Sequence, residues 1–213
     1  MTGLCGGSII APRVVLTAAH CVERTINIQV ILGGHNINTV REVGQQRQTV
    51  RPAGYRIHAE YNPDSLANDI ATLILPTEVI YDKFIQPIVL PSGDELNELF
   101  VGDLATVSGW GRFSDSNSAT STYLRFVSGN IISNDACRAV FRDMVIPSTV
   151  CTSTVGGRGG CNGDSGGPLT VQSNGTLIQV GIVSFGMRGC ERGFPAAFAR
   201  VTSFVDWIAE NSS

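Results

Sequence analysis

A serine at the centre of a glycine-rich stretch is the most chemically suggestive residue in the sequence. Ser165 lies in Gly-Gly-Cys-Asn-Gly-Asp-Ser-Gly-Gly-Pro, which spans residues 159–168. Glycine reaches backbone dihedral angles that are closed to other residues, so the stretch predicts a tight bend that exposes the Ser165 hydroxyl. The amides of Gly163 and Ser165 could then point the same way, which is how the main chain builds an oxyanion hole for acyl transfer. Asp164, between them, is a charge that the bend must turn inward and satisfy.

A serine hydroxyl is a weak nucleophile at its own pKa, so Ser165 needs a base and a group that orients the base. The sequence offers three histidines, His20, His35 and His58, and all of them precede Ser165. Residues 163–167 also fit the Gly-x-Ser-x-Gly elbow of α/β-hydrolases, but in that fold the histidine follows the serine. The elbow is therefore excluded, and the chain order histidine, acid, serine remains.

Three blocks in that order resemble those of the chymotrypsin-type serine proteases. They are Leu-Thr-Ala-Ala-His-Cys at residues 16–21, Asn-Asp-Ile-Ala-Thr-Leu at 68–73 and Gly-Asp-Ser-Gly-Gly-Pro at 163–168. The match runs from about Cys5 to the C-terminus. Phrases such as Leu-Gly-Gly-His-Asn-Ile at residues 32–37 resemble arthropod digestive chymotrypsins and the collagenolytic, brachyurin-like enzymes. The resemblance implies a secreted serine endopeptidase that acts in digestion.

In this family the three blocks supply a catalytic triad, whose roles the resemblance assigns here to His20, Asp69 and Ser165. His20 takes the Ser165 proton and later gives it to the leaving amine, while Asp69 holds the imidazole. The amides of Gly163 and Ser165 form the oxyanion hole, and Ser184 supports Asp69. The structural alternatives are a turn cap for Asp69 and a strand hydroxyl with a local partner for Ser184. The other two histidines receive no role.

The resemblance also implies a substrate pocket. Gly159, six residues before the nucleophile, stands where trypsin-like members carry an aspartate, so a Lys or Arg side chain would lose its hydration there without gaining a partner. Gly186 and Ala196 are small wall residues that leave room for large apolar side chains. We therefore expect Phe, Tyr, Leu or Met before the scissile bond, with the backbone of Phe185 and its neighbours pairing with the substrate as an added strand. Glu191 either adds tolerance for basic residues or lies on a solvated rim.

Short β-rich runs separated by Gly, Pro and Asn dominate the sequence and predict an all-β protein. Two helical patterns interrupt them, at about residues 135–141 and 203–211. The resemblance implies two six-stranded antiparallel β-barrels, at roughly residues 1–95 and 100–200, with the active site in the cleft between them and a C-terminal helix. Together they form a single catalytic domain of residues 1–213.

Six cysteines, an even number, lack the close paired spacing of a zinc site and indicate disulfides. By resemblance the pairs are Cys5–Cys21, Cys137–Cys151 and Cys161–Cys190. Disulfides persist in oxidising compartments, so we expect an extracellular, secreted protein. Two stretches match sequons for N-linked glycosylation and are compatible with that route, Asn174-Gly175-Thr176 and Asn211-Ser212-Ser213.

Composition and charge exclude several classes of function. Charged residues make up 15% of the chain, against a typical value of about 25%, and the net charge of -3 gives no basic surface for nucleic acid. No apolar run approaches the roughly 20 residues of a membrane span. By resemblance, Gly34 stands where calcium-binding members carry an acid, so we expect no metal and no cofactor. The expected partners are protein or peptide substrates and protein protease inhibitors, and the expected state is a monomer.

The beginning of the sequence departs from the family pattern. Active members start at a new N-terminus, usually Ile or Val followed by a hydrophobic residue and two glycines, well before the block at Cys5. This sequence starts Met-Thr-Gly-Leu, with no signal peptide or activation site. In the family that amino group pairs with the aspartate matching Asp164. We therefore expect Asp164 to lack a partner and its loop to relax, since removing one partner of a buried pair costs about 3 to 5 kcal/mol.

Three interpretations of that departure remain. The sequence is an incomplete form of an ordinary secreted protease, or a short form with a zymogen-like pocket, or a non-catalytic homologue that acts as a binding or regulatory module. The intact triad favours the first.

Overall fold

A computed structural model describes residues 3–213 of the chain. The expected domain and first barrel begin at residue 1, so their first two residues lie outside the described part. The described residues form strands β1 (Ser8–Ala11), β2 (Val14–Thr17), β3 (Ile28–Leu32), β4 (Gln46–Val50), β5 (Tyr55–Ile57), β6 (Ala71–Ile74), β7 (Leu104–Gly109), β8 (Arg125–Ile132), β9 (Thr149–Thr152), β10 (Pro168–Ser173), β11 (Thr176–Gly186) and β12 (Ala196–Arg200). The α-helices are α1 (Ala19–Val22), α2 (Asn134–Phe141) and α3 (Val205–Glu210). Short 3-10 turns lie at Pro52–Gly54, Gly93–Asn97, Arg142–Met144 and Val201–Ser203.

The first six strands form a four-stranded sheet, in the order β1-β2-β6-β5, and a two-stranded sheet of β3 and β4. One buried core joins the two sheets, with Val15 from the first and Val30 and Val50 from the second. Strand β4 pairs with β3 and β5 pairs with β6, and the 3-10 turn at Pro52–Gly54 separates β4 from β5 along the chain. The expected first barrel is therefore present as two sheets around a common core.

The last six strands close into an antiparallel barrel in the order β10-β11-β12-β9-β8-β7, completed by pairing of β10 with β7. Its interior is filled by large apolar side chains, among them Leu169, Ile178 and Phe198. This confirms the predicted all-β class, in which an antiparallel barrel fills its inside with alternate residues of each strand. The hairpin predicted by Asn174-Gly175 is the turn between β10 and β11.

A third apolar cluster joins the two halves of the molecule. Leu16 and Ile70 of the first half pack in it with Ile182 of the barrel and with Phe204 and Ile208 near the C-terminus. The blocks that end at residue 21 and begin at residue 68 flank this cluster, and β11 crosses it. The packing therefore holds the two halves together next to the segments that contain the predicted triad.

All six cysteines are paired, as Cys5–Cys21, Cys137–Cys151 and Cys161–Cys190, which are the pairs that the resemblance implies. Removing a native disulfide from a small secreted domain typically costs about 2 to 5 kcal/mol. Within residues 3–213, no helix has the length and apolar character that crossing a membrane requires.

Candidate active site

Asp69 lies two residues before β6 and has only 1% of its surface exposed. Its Oδ2 accepts hydrogen bonds from His20 Nδ1 at 2.7 Å and from Ser184 Oγ at 2.6 Å, and its Oδ1 accepts one from the His20 amide at 2.9 Å. A buried carboxylate is costly unless donors replace its lost hydration, and these three do so. Because an ionised carboxylate only accepts hydrogen bonds, the Nδ1 of His20 carries a proton and Nε2 is the basic nitrogen of the neutral ring.

His20 lies in α1, a single helical turn, and 27% of its side chain is exposed. The disulfide from the adjacent Cys21 to Cys5 ties this turn to the segment that precedes β1. The Cys21 sulfur lies 3.5 Å from the carbonyl oxygen of Ser165, and the Gly6 amide donates to the same oxygen at 2.7 Å. The His20 turn and the Ser165 loop are thus in direct contact. In the described chain, the side-chain hydrogen bond of His20 goes to Asp69; the bond between base and nucleophile often tightens only when substrate binds.

Close packing against the Ser165 loop explains the glycine that follows the serine. Gly166 has φ +80°, and a Cβ there would overlap Thr17 Oγ1 and lie 2.6 Å from the Gly6 carbonyl oxygen. The same Thr17 hydroxyl donates to that carbonyl at 2.8 Å. Only glycine fits such a position without strain. The Ser165 loop is therefore packed against the segments of Gly6 and Thr17, while Ser165 itself stays partly accessible.

The backbone amides around Ser165 differ in what they bind. The Asp164 amide donates to Cys161 O at 2.9 Å, and the Gly166 amide donates to Val183 O at 2.8 Å. Among the described residues, no acceptor is hydrogen-bonded to the amides of Gly163 or Ser165. These two amides, one of Ser165 itself and one of Gly163, are available to donate hydrogen bonds, as the stabilisation of a developing oxyanion requires.

Asp164 is turned inward, with 8% of its surface exposed, and its two oxygens accept from the amides of Gly111 at 2.7 Å and Cys161 at 2.8 Å. Burial raises the pKa of this carboxyl, while the two amide hydrogen bonds oppose the rise. Gly109 and Gly111 leave the space that the carboxylate fills, because a Cβ on either would overlap it. A cavity of about 210 Å³ lies beside it. Within residues 3–213 the Asp164 carboxylate forms no ion pair, and two main-chain amides replace part of its lost hydration.

The predicted pocket residues lie in β11, in β12 and in the segment before Ser165. Gly186 pairs directly with Ala196, and no atom would lie within 4 Å of a Cβ on Gly186. Phe185, the residue before Gly186, is partly buried. A Cβ on Gly159 would lie 2.7 Å from a methyl carbon of Thr154, so an uncharged, buried threonine lies beside Gly159.

Two loops at the rim of this region hydrogen-bond to each other reciprocally. The Asp115 carboxylate accepts from the amides of Cys190 at 2.7 Å and Glu191 at 3.1 Å. The Glu191 carboxylate accepts from the Asp115 amide at 2.6 Å and from Ser114 Oγ at 3.2 Å. The amides of Cys190 and Glu191 lower the pKa of Asp115. Glu191 is exposed and its carboxylate is engaged by this loop, which favours the solvated position over a role in binding basic residues.

The remaining histidines lie outside this arrangement. His35 packs its ring on Tyr123, and His58 lies against Phe204 and Trp207 near the C-terminal helix. Sequence reasoning missed Thr17, Gly109 and Gly111 because their roles depend on contacts between distant segments. The only local signal was the Gly-Trp-Gly stretch at residues 109–111.

Comparison with known proteins gives the family. The Trypsin family model matches residues 1–208. The chain is 44% identical to brachyurin of Leptuca pugilator over 96% of its own length and 85% of that protein. It is 41% identical to a collagenase of Hypoderma lineatum over 98% of this chain and 76% of that protein. It is 39% identical to a chymotrypsin of Phaedon cochleariae over 98% of this chain and 72% of that protein.

A solved structure of HL collagenase superposes with a TM-score of 0.86 at 39% identity, covering 97% of this chain and 85% of that one. These matches confirm the resemblance to arthropod chymotrypsins and collagenolytic enzymes. The chain belongs to the trypsin family of serine endopeptidases.

Proposed function

We propose that this protein hydrolyses peptide bonds with Ser165 as nucleophile, His20 as general base and Asp69 as the group that orients His20. The observation that carries the proposal is the buried Asp69 carboxylate, which accepts hydrogen bonds from His20 Nδ1, the His20 amide and Ser184 Oγ. This fixes both the position and the tautomer of the imidazole. A serine beside a base that is itself oriented by a third group is the signature of an activated nucleophile.

In the first half of the reaction, Ser165 Oγ attacks the carbonyl carbon of the substrate while His20 Nε2 takes the hydroxyl proton. The negative charge that develops on the carbonyl oxygen is stabilised by the free amides of Gly163 and Ser165; losing one such donor costs about a hundred- to a thousandfold in rate. His20 then gives its proton to the leaving amine as the C–N bond breaks, which leaves an acyl group on Ser165. Asp69 stays ionised and stabilises the imidazolium.

In the second half, water takes the place of the amine. His20 Nε2 takes a proton from the water, the hydroxide attacks the acyl carbon, and the proton returns to Ser165 Oγ as the carboxylic acid product leaves. No atom of the enzyme is consumed, and the free nucleophile is restored.

The pocket supports a preference for a large apolar side chain before the scissile bond. Gly159 and Thr154 bring no charge to its floor, so a Lys or Arg side chain would be desolvated without a partner. Gly186 and Ala196 leave space at its walls. The relatives include a chymotrypsin and a collagenase, and family members act on protein substrates. The exposed backbone at Gly186 is suited to pairing with an extended peptide.

Secretion is part of the same proposal. Three disulfides, with all six cysteines used, are typical of an extracellular protein. We also infer protein inhibitors as partners and a monomeric state. The alternative of a non-catalytic or zymogen-like homologue gains no support, because, within residues 3–213, Asp164 accepts two amide hydrogen bonds and the amides of Gly163 and Ser165 have no hydrogen-bond acceptor.

Cleavage of a set of matched peptides tests the proposal. The peptides differ only in the residue before the scissile bond, which is Phe, Leu, Ala or Arg. We expect the highest kcat/KM for Phe or Leu and no cleavage by Ser165→Ala. Arg as the favoured residue would overturn the specificity, and cleavage by the Ser165→Ala protein would overturn the nucleophile.

A further inference from the structure

The turn between β10 and β11 presents an asparagine that the active site does not use. Asn174 and Gly175 have φ of +48° and +80°, and Ser173 pairs with Thr176 across the turn. Positive φ at both central residues is the pattern of a two-residue hairpin turn, which asparagine tolerates well. Asn174 and Thr176 are both exposed. Within residues 3–213, no hydrogen bond occupies the side-chain amide of Asn174, so its Nδ2 is free.

The second sequon of the chain, at residues 211–213, is less exposed and takes part in hydrogen bonds. Asn211 is partly buried, and its Nδ2 donates to Trp207 O at 2.9 Å. The carbonyl oxygen of Asn211 accepts from Thr72 Oγ1 at 2.5 Å, and the hydroxyl of Ser212 donates to Ile208 O at 2.5 Å. These bonds fasten the end of α3 to β6. A sugar on Asn211 Nδ2 would have to fit into this partly buried position and would open a packed surface.

We propose that Asn174 carries an N-linked oligosaccharide and that Asn211 does not. The reaction needs a lipid-pyrophosphate-linked oligosaccharide as donor, which the secretory pathway of eukaryotic cells supplies. A bond forms between Asn174 Nδ2 and C1 of the first sugar, the bond from C1 to the pyrophosphate oxygen breaks, and the amide loses one proton. The proposal does not depend on the proteolytic activity of the chain.

Apolar surface around the turn gives the sugar a place to lie. Ser173 Oγ donates to Glu95, which places the 3-10 turn with Leu96 beside the hairpin. Leu96 is 41% exposed and Leu177 is 44% exposed. Val89, which bridges to the residue after Leu177, is 49% exposed. A glycan at Asn174 covers this patch, defined by Val89, Leu96 and Leu177, and keeps it from associating with other molecules.

The turn is also far from the candidate active site. Strand β10 has six residues and begins three residues after Ser165. At about 3.4 Å per residue, the tip of the hairpin is roughly 20 Å from the start of that strand. The sugar therefore leaves the cleft open, and peptide cleavage is expected to be unchanged by its removal.

The test is expression of the full chain through the secretory pathway of insect cells, followed by treatment with a glycan-releasing amidase. The amidase converts each modified asparagine to aspartate, so peptide mass mapping identifies the position. Thr176→Val removes the sequon hydroxyl with little change in shape, and Thr176→Ser keeps the sequon as the matched control. Asn211→Gln removes the other sequon.

We expect conversion at position 174 in the parent chain, in Thr176→Ser and in Asn211→Gln, and a lower mass before treatment for Thr176→Val. The Thr176→Val protein should aggregate at a lower concentration than the Thr176→Ser protein, because its patch is uncovered. A secreted chain with an unmodified Asn174, or with the sugar on Asn211, would overturn the proposal. Equal aggregation of the two Thr176 variants would overturn the role given to the patch.

Discussion

The hydrogen bond from Ser184 to Asp69 gives a direct measure of how much the orientation of His20 contributes to catalysis. Ser184→Ala removes a donor at 2.6 Å from a carboxylate whose side chain has no exposed surface, so water has no route to replace it. Hydrogen bonds to charged groups contribute about 1.5 to 3 kcal/mol. The Asp69 Oδ2 atom that loses the Ser184 hydrogen bond also accepts from His20 Nδ1. Part of the lost free energy therefore reduces the stabilisation of the imidazolium when it forms.

If about 1 to 2 kcal/mol of that loss falls on the transition state, kcat/KM decreases about 5- to 30-fold. The assay is hydrolysis of a peptide with Phe before the scissile bond, together with thermal unfolding of the same proteins. Ser128→Ala is the matched control, because it removes a serine hydroxyl that bonds to Thr106 Oγ1 at 2.8 Å in the barrel, outside the candidate site. We expect both variants to lose stability and only Ser184→Ala to lose activity. An unchanged kcat/KM in Ser184→Ala would refute the reasoning and leave Ser184 with a structural role alone.

Three further changes test the glycines and the rim. Gly166→Ala should destabilise the fold or prevent it, because the new Cβ overlaps Thr17 Oγ1 at a φ of +80°; a melting temperature equal to that of the parent would contradict the packing described. Gly159→Asp, compared with Gly159→Ala, should raise kcat/KM for a peptide with Arg before the scissile bond relative to Phe, and an unchanged ratio would show that Gly159 is not at the pocket floor. The pKa of Asp115 is lowered by the amides that donate to it, so its contribution to stability is present above its unfolded pKa and is lost as pH falls through the folded value. The NMR shift of the Cys190 amide should therefore titrate below the ordinary Asp pKa of 3.8 and stop titrating in Asp115→Asn; titration at or above 3.8 would contradict the hydrogen bond.

Features that depend on neighbouring residues were predictable from the sequence. The Asn174-Gly175 turn follows from the preference of those two residues for positive φ, and the structure has it at the predicted place. Helix α2 begins one residue before its predicted start, where Ser133 accepts the amide of Ala136 as a cap. Helix α3 is shorter than predicted, because residues 201–203 form a 3-10 turn before it.

The resemblance predicted the side-chain contacts of the site, but not its main-chain contacts. The resemblance assigned roles to His20, Asp69 and Ser184. In the structure, His20 and Ser184 are both hydrogen-bonded to the Asp69 carboxylate. The partners of Asp164 could not be read from the sequence, because both are backbone amides and one belongs to a segment more than fifty residues away. Side-chain types give no sign of where a main-chain donor lies.

The first six strands do not close into one barrel, and this too could not be predicted from local residue patterns. The sequence contains all six strands, and the resemblance implies a barrel, yet β4 pairs with β3 and β5 pairs with β6 in two separate sheets, with the turn at Pro52–Gly54 between β4 and β5. Whether two strands pair depends on the path of the chain between them. Residue patterns within each strand do not determine that path.

The central claim is that Ser165 is a nucleophile activated by His20, and covalent labelling with a fluorophosphonate tests it most directly. The folded chain is incubated with the probe, and the modified residue is identified by peptide mapping. The account predicts an adduct on Ser165 that is absent in Ser165→Ala and forms about a hundred- to ten-thousandfold more slowly in His20→Ala, as expected on loss of a general base. A folded chain that gives no adduct, or an adduct whose rate of formation is the same in His20→Ala, would contradict the account.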